Sequence, residues 1–471
     1  MHSDIPPTTS RRNFLSLGAA ALASTAASGS LSGCGGAHAA DSTMWATSGN
    51  PAVSAATGNG AKINGFVAPQ YQGVFDAFVA NFDARGEIGA SVAVTVNGAS
   101  VVEAWGGYAD ALSATPSQAW NRDTVSVVFS CTKGAVALCA HMLAAQGKLD
   151  LDKPVAYYWP EFAVNGKGSI TVRMLLQHAA GLAAIPFTSM VPPGGWADWN
   201  LMTSLLAAQA PWWEPGTSHG YHALTFGWLV GEVVRRVSGQ SVGTFFQSQV
   251  AQPLGADFWI GMPGDKLSRV APMMGATESL PYEPFLAKVI ADPASMQSAV
   301  YFNLGGWLGL PPSTPPAYNT TASLQAEIPA AGGVTNARGL ASLYAPLANG
   351  GAVGSTRLLP SDYAATLGLI HSALPVDRTV LLPMRFGLGF HGSIDNRVLG
   401  PSLSVIMGAQ AFGHAGFGGS VGFADPQAKL SFGYTMNRMG PGTGLNERGQ
   451  SLVDATYRAL GHTSNTWGAW V

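Results

Sequence analysis

One stretch constrains this chain more than any other: Phe129-Ser130-Cys131-Thr132-Lys133-Gly134 and the apolar run that follows it to Leu149. Val136, Cys139, Ala140 and Leu143 recur near helical spacing, so the run reads as a buried helix. The β-branched residues Thr124 to Val128 suit an extended approach to it. Ser130 then falls at or near a helix N-terminus, where free N–H groups and the helix dipole favour negative charge. Lys133 lies about one turn on, on the same face, within reach of the Ser130 hydroxyl. A lysine that burial keeps partly neutral is a workable base for a serine nucleophile. Read alone, the same four residues also describe a helix cap beside a solvated lysine, and S-x-x-K recurs by chance.

The totals narrow the class. A chain of 471 residues that is 47% hydrophobic and 11% charged, with 59 Gly and 30 Pro, suits a loop-rich globular core rather than disorder or a coiled coil. A formal charge of −2 without a basic cluster in the body argues against a nucleic-acid partner. The histidines show no zinc-type pairing such as H-E-x-x-H, so neither a metal nor another cofactor is expected.

The N-terminus reads as a targeting segment over 1–39. Arg11-Arg12 within Ser10-Arg11-Arg12-Asn13-Phe14-Leu15 is a twin-arginine pattern, and an Ala-rich apolar stretch follows to about Ala27. That stretch is too short to span a bilayer. Leu31-Ser32-Gly33-Cys34 resembles a lipobox, with Cys34 the lipidated first mature residue, while Ala37-His38-Ala39 resembles an ordinary cleavage site. Small residues around Cys34 favour the lipobox. The expectation is an exported, periplasmic or lipid-anchored protein that meets a membrane only through that anchor. Of the other cysteines, Cys131 and Cys139 stand about 12 Å apart along one helix, too far for a disulfide.

Residues 40–65 are rich in Ser, Thr, Gly and Ala and read as a linker. A helical pattern over 67–84 precedes a hairpin about Asn97-Gly98, so the chain opens as an α+β protein. Thr171 reads as the cap of a short helix ending near His178, which is expected to be structural, favouring the helix C-terminus as a donor or cation. An amphipathic helix is predicted over 226–237, and another from Gly332 to about Asn349. Residues 265–330 show no period and suit a lid or substrate-covering insertion. Strands are predicted over 385–390, 403–407, 421–424 and 429–437, then a closing helix over 451–461.

Three separated places complete the pattern: Ser130-x-x-Lys133, Tyr221-His222-Ala223, and His414-Ala415-Gly416 before the late strand pair. In this order they resemble the serine β-lactamase and penicillin-binding protein superfamily, closest to the class C β-lactamase-like carboxylesterases of family VIII. The resemblance implies a β-lactamase-like α+β fold, with an antiparallel sheet flanked by N- and C-terminal helices and the active site between it and a mostly helical subdomain. The α/β subdomain would comprise 66–145 and 331–471, and the helical one 146–330.

The family's roles map onto single positions. Ser130 would attack the acyl carbon, desolvated Lys133 would take its proton, and Tyr221, its pKa lowered by nearby cations, would relay it to the leaving group. The backbone N–H groups of Ser130 and Phe417 would hold the oxyanion, Gly416 would let backbone and substrate approach, and His414 would shape the strand near Tyr221. Two departures matter. Ala223 stands where β-lactamases carry an amide-gripping Asn, and His414 where they carry a Lys for the antibiotic carboxylate. Both losses favour a small neutral ester over an anionic amide. The alternatives are a β-lactamase, a D,D-peptidase-type amide hydrolase or acyltransferase of the same fold, or a surface binding module without turnover. Nothing in the sequence points to an oligomeric state.

Trp196, Trp199, Trp212, Trp213 and Trp307 are candidates for an apolar acyl cleft. Gly418-Gly419-Ser420-Val421-Gly422 matches a nucleophile elbow, but a strand-like run follows Ser420 where that motif requires a helix.

Overall fold

The computed structural model describes residues 44–45, 49–277, 284–309 and 316–471. The targeting segment, including Arg11, Arg12 and Cys34, lies outside the described residues.

The backbone of the molecule is a ten-stranded antiparallel sheet. From one edge its order is Ala52–Ala56, Lys62–Val67, Ala99–Gly107, Gly89–Val96, Leu430–Met436, Val421–Asp425, Phe412–Ala415, His391–Gly392, Met384–Phe386 and Ser372–Leu374. The central strands are buried on both faces. Every residue of Val421–Asp425 and Leu430–Met436 is buried, because helices cover the sheet. Helices Gln72–Ala84 and Glu447–Ala459 pack on one another, and Ala337–Ala348 lies along Leu430–Met436. Two glycines let that last helix come close. A Cβ on Gly433 would sit 2.2 Å from the Ala337 carbonyl oxygen, and one on Gly422 would sit 2.8 Å from the Tyr344 ring.

The end of the N-terminal helix is tied to the C-terminal helix by a buried pair. The Arg448 guanidinium stands 3.2 Å from Glu87, whose carboxylate also accepts from the Tyr434 hydroxyl. The Asn81 amide donates to the Arg448 carbonyl at 3.1 Å.

Helix Thr132–Ala145 is buried on nearly every side, with Thr225–Ser238 against it and the Phe412–Ala415 strand nearby. This is the behaviour of a helix without a polar face. Thr225–Ser238 ends where Gly239 takes a left-handed φ of 73°. The hairpin at Asn97-Gly98 forms with both residues at positive φ, 52° and 75°, the combination a type I′ turn needs. Thr171 caps Val172–Leu176 by accepting from the Met174 N–H.

Three expectations need correction. Residues read as linker form the edge strand Ala52–Ala56 and most of its neighbour Lys62–Val67, whose Ile63 and Val67 alternate inward and pair with Ala99–Gly107. The described residues of 265–330 are not irregular throughout. They hold the helices Pro284–Ala291, Met296–Phe302 and Thr321–Gln325, each too short to show a period over its own length. Residues 403–407 form no regular strand. The Met407 N–H goes to Ser393 Oγ and the Ile406 N–H to Gln450 Oε1, so side chains take donors that a neighbouring strand would use.

Candidate active site

Ser130 sits in a single turn of 3-10 helix, Phe129–Cys131, between the strand Ser126–Val127 and helix Thr132–Ala145. Phe129 reaches this turn with a φ of 44°, costly for a residue with a side chain. Packing holds it there. Its ring meets Trp307, Tyr318 and Phe417 edge-on at 6.0, 5.3 and 5.9 Å, and its carbonyl accepts from Thr132 Oγ1 at 2.6 Å.

Lys133 Nζ lies 3.0 Å from Ser130 Oγ, 2.6 Å from the Ala223 carbonyl and 3.0 Å from the Ala330 carbonyl. Burial drives this amine well below the usual lysine value, and no carboxylate stands beside it. A neutral amine has two N–H donors and one lone pair. The two carbonyls can only accept, so they take the two donors and leave the lone pair facing the Ser130 hydroxyl. The arrangement can therefore receive the serine proton. Ala223, without a side-chain donor, contributes here through its backbone.

Tyr221 places its ring 4.7 Å from Lys133 Nζ, with its hydroxyl in hydrogen-bonding contact with Ser130. Its pKa is raised, with burial the largest cause. The expectation of a phenol lowered by cations is thus reversed: once Lys133 is neutral, no cation remains beside it. Tyr221 stays a phenol, a group that can donate a proton while accepting another.

On the opposite wall, the Gly416 N–H bonds the Ser420 carbonyl at 2.7 Å. A Cβ at Gly416 would meet the Val128 carbonyl at 2.3 Å and Ser420 Oγ at 2.2 Å. Among the described residues, neither the Ser130 nor the Phe417 amide has a hydrogen-bond partner, so both are available donors. His414 Nδ1 lies 3.1 Å from the Ala415 carbonyl, and its ring stands 6.0 Å from Tyr221 and 4.8 Å from His391. Burial holds His414 well below the usual histidine value, which favours its neutral form.

Ser420 is buried behind this wall, donating to the Val128 carbonyl at 3.2 Å, and the strand Val421–Asp425 follows it. Cys131 is buried too, its thiol pushed up to about 12, with Sγ directed at the His414 carbonyl. His178 stacks among Tyr221, Phe226 and Phe386 and accepts from the His222 N–H, so it serves as a buried acceptor rather than a capping cation.

A cavity of about 190 Å³ opens over Ser130. Of the five tryptophans considered, only Trp307 lines it. Trp199 bonds Glu232 through its indole N–H, and Trp212 and Trp213 bond backbone carbonyls. The walls come instead from the insertion helices and from residues 379–405.

Asp377 is a residue the sequence did not single out. It is fully buried and accepts from the Tyr221 N–H at 2.9 and 3.1 Å and from the Thr379 and Val380 N–H groups at 2.8 Å each. His219 Nε2 lies 3.7 Å from it. No local signal marks it, because its partners are backbone amides, one of them 156 residues away.

Residues 75–456 match the family described as Beta-lactamase. The chain belongs to the beta-lactamase family. It is a hydrolase of that fold. It is 35% identical to the Esterase/beta-lactamase LipL of Mycobacterium tuberculosis over 384 residues, 81% of this chain and 84% of that one. Among solved structures it is similar to a family VIII carboxylesterase at 38% identity and TM-score 0.72, covering 84% of this chain and all of that one. A penicillin-binding protein homolog from Caulobacter crescentus matches at 34% identity with the same TM-score, over 84% of this chain and all of the other.

Proposed function

We propose that this chain is an exported serine carboxylesterase that cleaves neutral esters through an acyl-enzyme on Ser130. The observation that carries this reading is the buried Lys133 Nζ 3.0 Å from Ser130 Oγ, at the floor of a cavity that no charged side chain lines among the described residues.

In the first half-reaction the Ser130 proton passes to Lys133 Nζ as Oγ bonds the acyl carbon. The oxyanion is held by the Ser130 and Phe417 N–H groups. Collapse expels the alkoxide, which takes a proton from the Tyr221 hydroxyl, and Tyr221 is reprotonated by the Lys133 ammonium. Water then repeats the sequence in reverse to release the acid.

The same features weigh against an anionic amide. A carboxylate brought into an apolar cavity without a cation loses its solvation and gains no ion pair. The position that would need to be cationic is a neutral histidine. The named relatives include an esterase and a family VIII carboxylesterase, which supports the ester reading.

Assaying p-nitrophenyl butyrate and a chromogenic cephalosporin tests it. Ester turnover is expected, abolished in Ser130→Ala and largely kept in Ser420→Ala. Rapid cephalosporin turnover with little ester turnover would instead support the amide-hydrolase reading, and no turnover of either would leave a binding module. For export, we propose the twin-arginine route with lipidation at Cys34. Mass measurement of the mature N-terminus would detect the lipid, and its absence from wild type would overturn that part.

A further inference from the structure

The cavity over Ser130 has mostly apolar walls. Its volume is about 190 Å³. An apolar cavity of roughly 150 Å³ already stays dry and takes a benzene ring. The lining includes Phe285, Val300, Trp307, Leu382, Ile394 and Val405, drawn from the insertion and from the C-terminal third. Val300 sits in a cluster with Ala184 and Ala299, against which Phe285 packs, so the insertion wall is a built part of the core. Some polar lining groups near the serine are engaged within the protein, while His414 Nε2 and Thr379 Oγ1 are buried there without a partner among the described residues. The His391 ring accepts the Ala415 N–H through Nε2 at 2.9 Å, and His414 Nδ1 is turned to a carbonyl.

Resting on the ester reading above, we propose that the site selects neutral esters bearing a hydrocarbon or aryl group of about six to eight carbons, in the acyl or the alcohol half, rather than two- to four-carbon esters. Each methylene moved from water into such walls is worth about 0.8 kcal/mol, or about fourfold in kcat/KM while the chain still fits. Charged chain ends of the same length are excluded by desolvation, since no cation or anion lines the cavity among the described residues.

Two ester series test this on the full mature chain: p-nitrophenyl esters from acetate to decanoate, and acetate esters from ethyl to decyl. The expected result is a rise of about fourfold per methylene up to six to eight carbons in at least one series. Substrates ending in a carboxylate should lose at least about tenfold against the uncharged analogue. Peak turnover at two to four carbons in both series would overturn the inference and leave the esterase reading intact. A second arm reads the cavity without turnover. In Ser130→Ala, octyl acetate should raise Tm where ethyl acetate does not, and equal or absent shifts would overturn the inference. No ester turnover with an octyl acetate shift would sink the esterase reading alone. Val300→Trp and Ile394→Trp fill the cavity from separate segments. Each should move the optimum toward acetate, and an unmoved optimum in both folded variants would also overturn the inference.

Discussion

Tyr221 is held by its backbone as much as by its ring. Asp377 accepts its N–H with both carboxylate oxygens while accepting those of Thr379 and Val380, and Thr379 and Val380 line the cavity. One buried carboxylate therefore joins the candidate proton relay to the substrate wall. Burial pushes it up to about 6 against those hydrogen bonds, which shows how much desolvation it bears. In Asp377→Asn the amide nitrogen turns donors toward donors, and one or two buried N–H groups lose a partner at about 1–3 kcal/mol. Tyr221 then shifts relative to Ser130, and misplacement of about 1 Å costs on the order of 100-fold in rate. We expect kcat to fall about 10- to 100-fold with KM changed less than about threefold. Steady-state kinetics check this, and an equal loss in kcat and gain in KM would contradict it.

At the scale of the element, helix Thr132–Ala145 shows why motif and packing are inseparable. Gly134, next to the lysine, leaves room for the Tyr344 ring of helix Ala337–Ala348. A Cβ there would stand 2.2 Å from the Tyr344 hydroxyl and 3.1 Å from the ring carbon bearing it. Two effects compete in Gly134→Ala. Helix propensity favours alanine by about 1 kcal/mol. Overpacking a buried contact costs about 1–3 kcal/mol, and Tyr344 is fully buried. The clash outweighs the propensity gain, so urea unfolding should show a loss of up to about 2 kcal/mol, with ester turnover falling as Lys133 is displaced. Much of this helix was legible: its apolar run, its start near Ser130 and the reach of Lys133 all follow from local spacing. The edge strands 52–67 and the insertion helices were not, because one is masked by small residues and the others are short.

At the scale of the whole molecule, six histidines among the described residues are buried: His141, His178, His219, His222, His391 and His414. Burial lowers all six, to about 4 for His141, His219, His222 and His391 and well below the usual value for the other two. Between pH 6.5 and 4 the unfolded chain binds protons on these rings that the folded chain refuses. Stability is therefore complete above about 6.5 and declines as pH falls, by up to about 1.4 kcal/mol per pH unit for each fully differing ring. Asp377, raised to about 6, acts in the opposite direction, since its folded form keeps a proton that the unfolded form has shed down to about 4. Glu87 and Glu327, also raised by burial, act with Asp377, and six rings against three carboxyls still decide the sign. Tm should drop steeply from pH 6.5 to 5, and a flat or rising Tm across that interval in calorimetry would refute the assignment of neutral buried rings.

The sequence alone determined the class of chemistry. Serine and lysine one turn apart on an apolar helix, a distant tyrosine, and a small-residue strand motif are local patterns whose physical meaning needs no partner to read. Only the tertiary structure decided the protonation states, the positioning role of Asp377 and the shape of the cavity. Those depend on what surrounds each group: desolvation keeps Lys133 neutral and Tyr221 protonated, and chain segments hundreds of residues apart supply the walls.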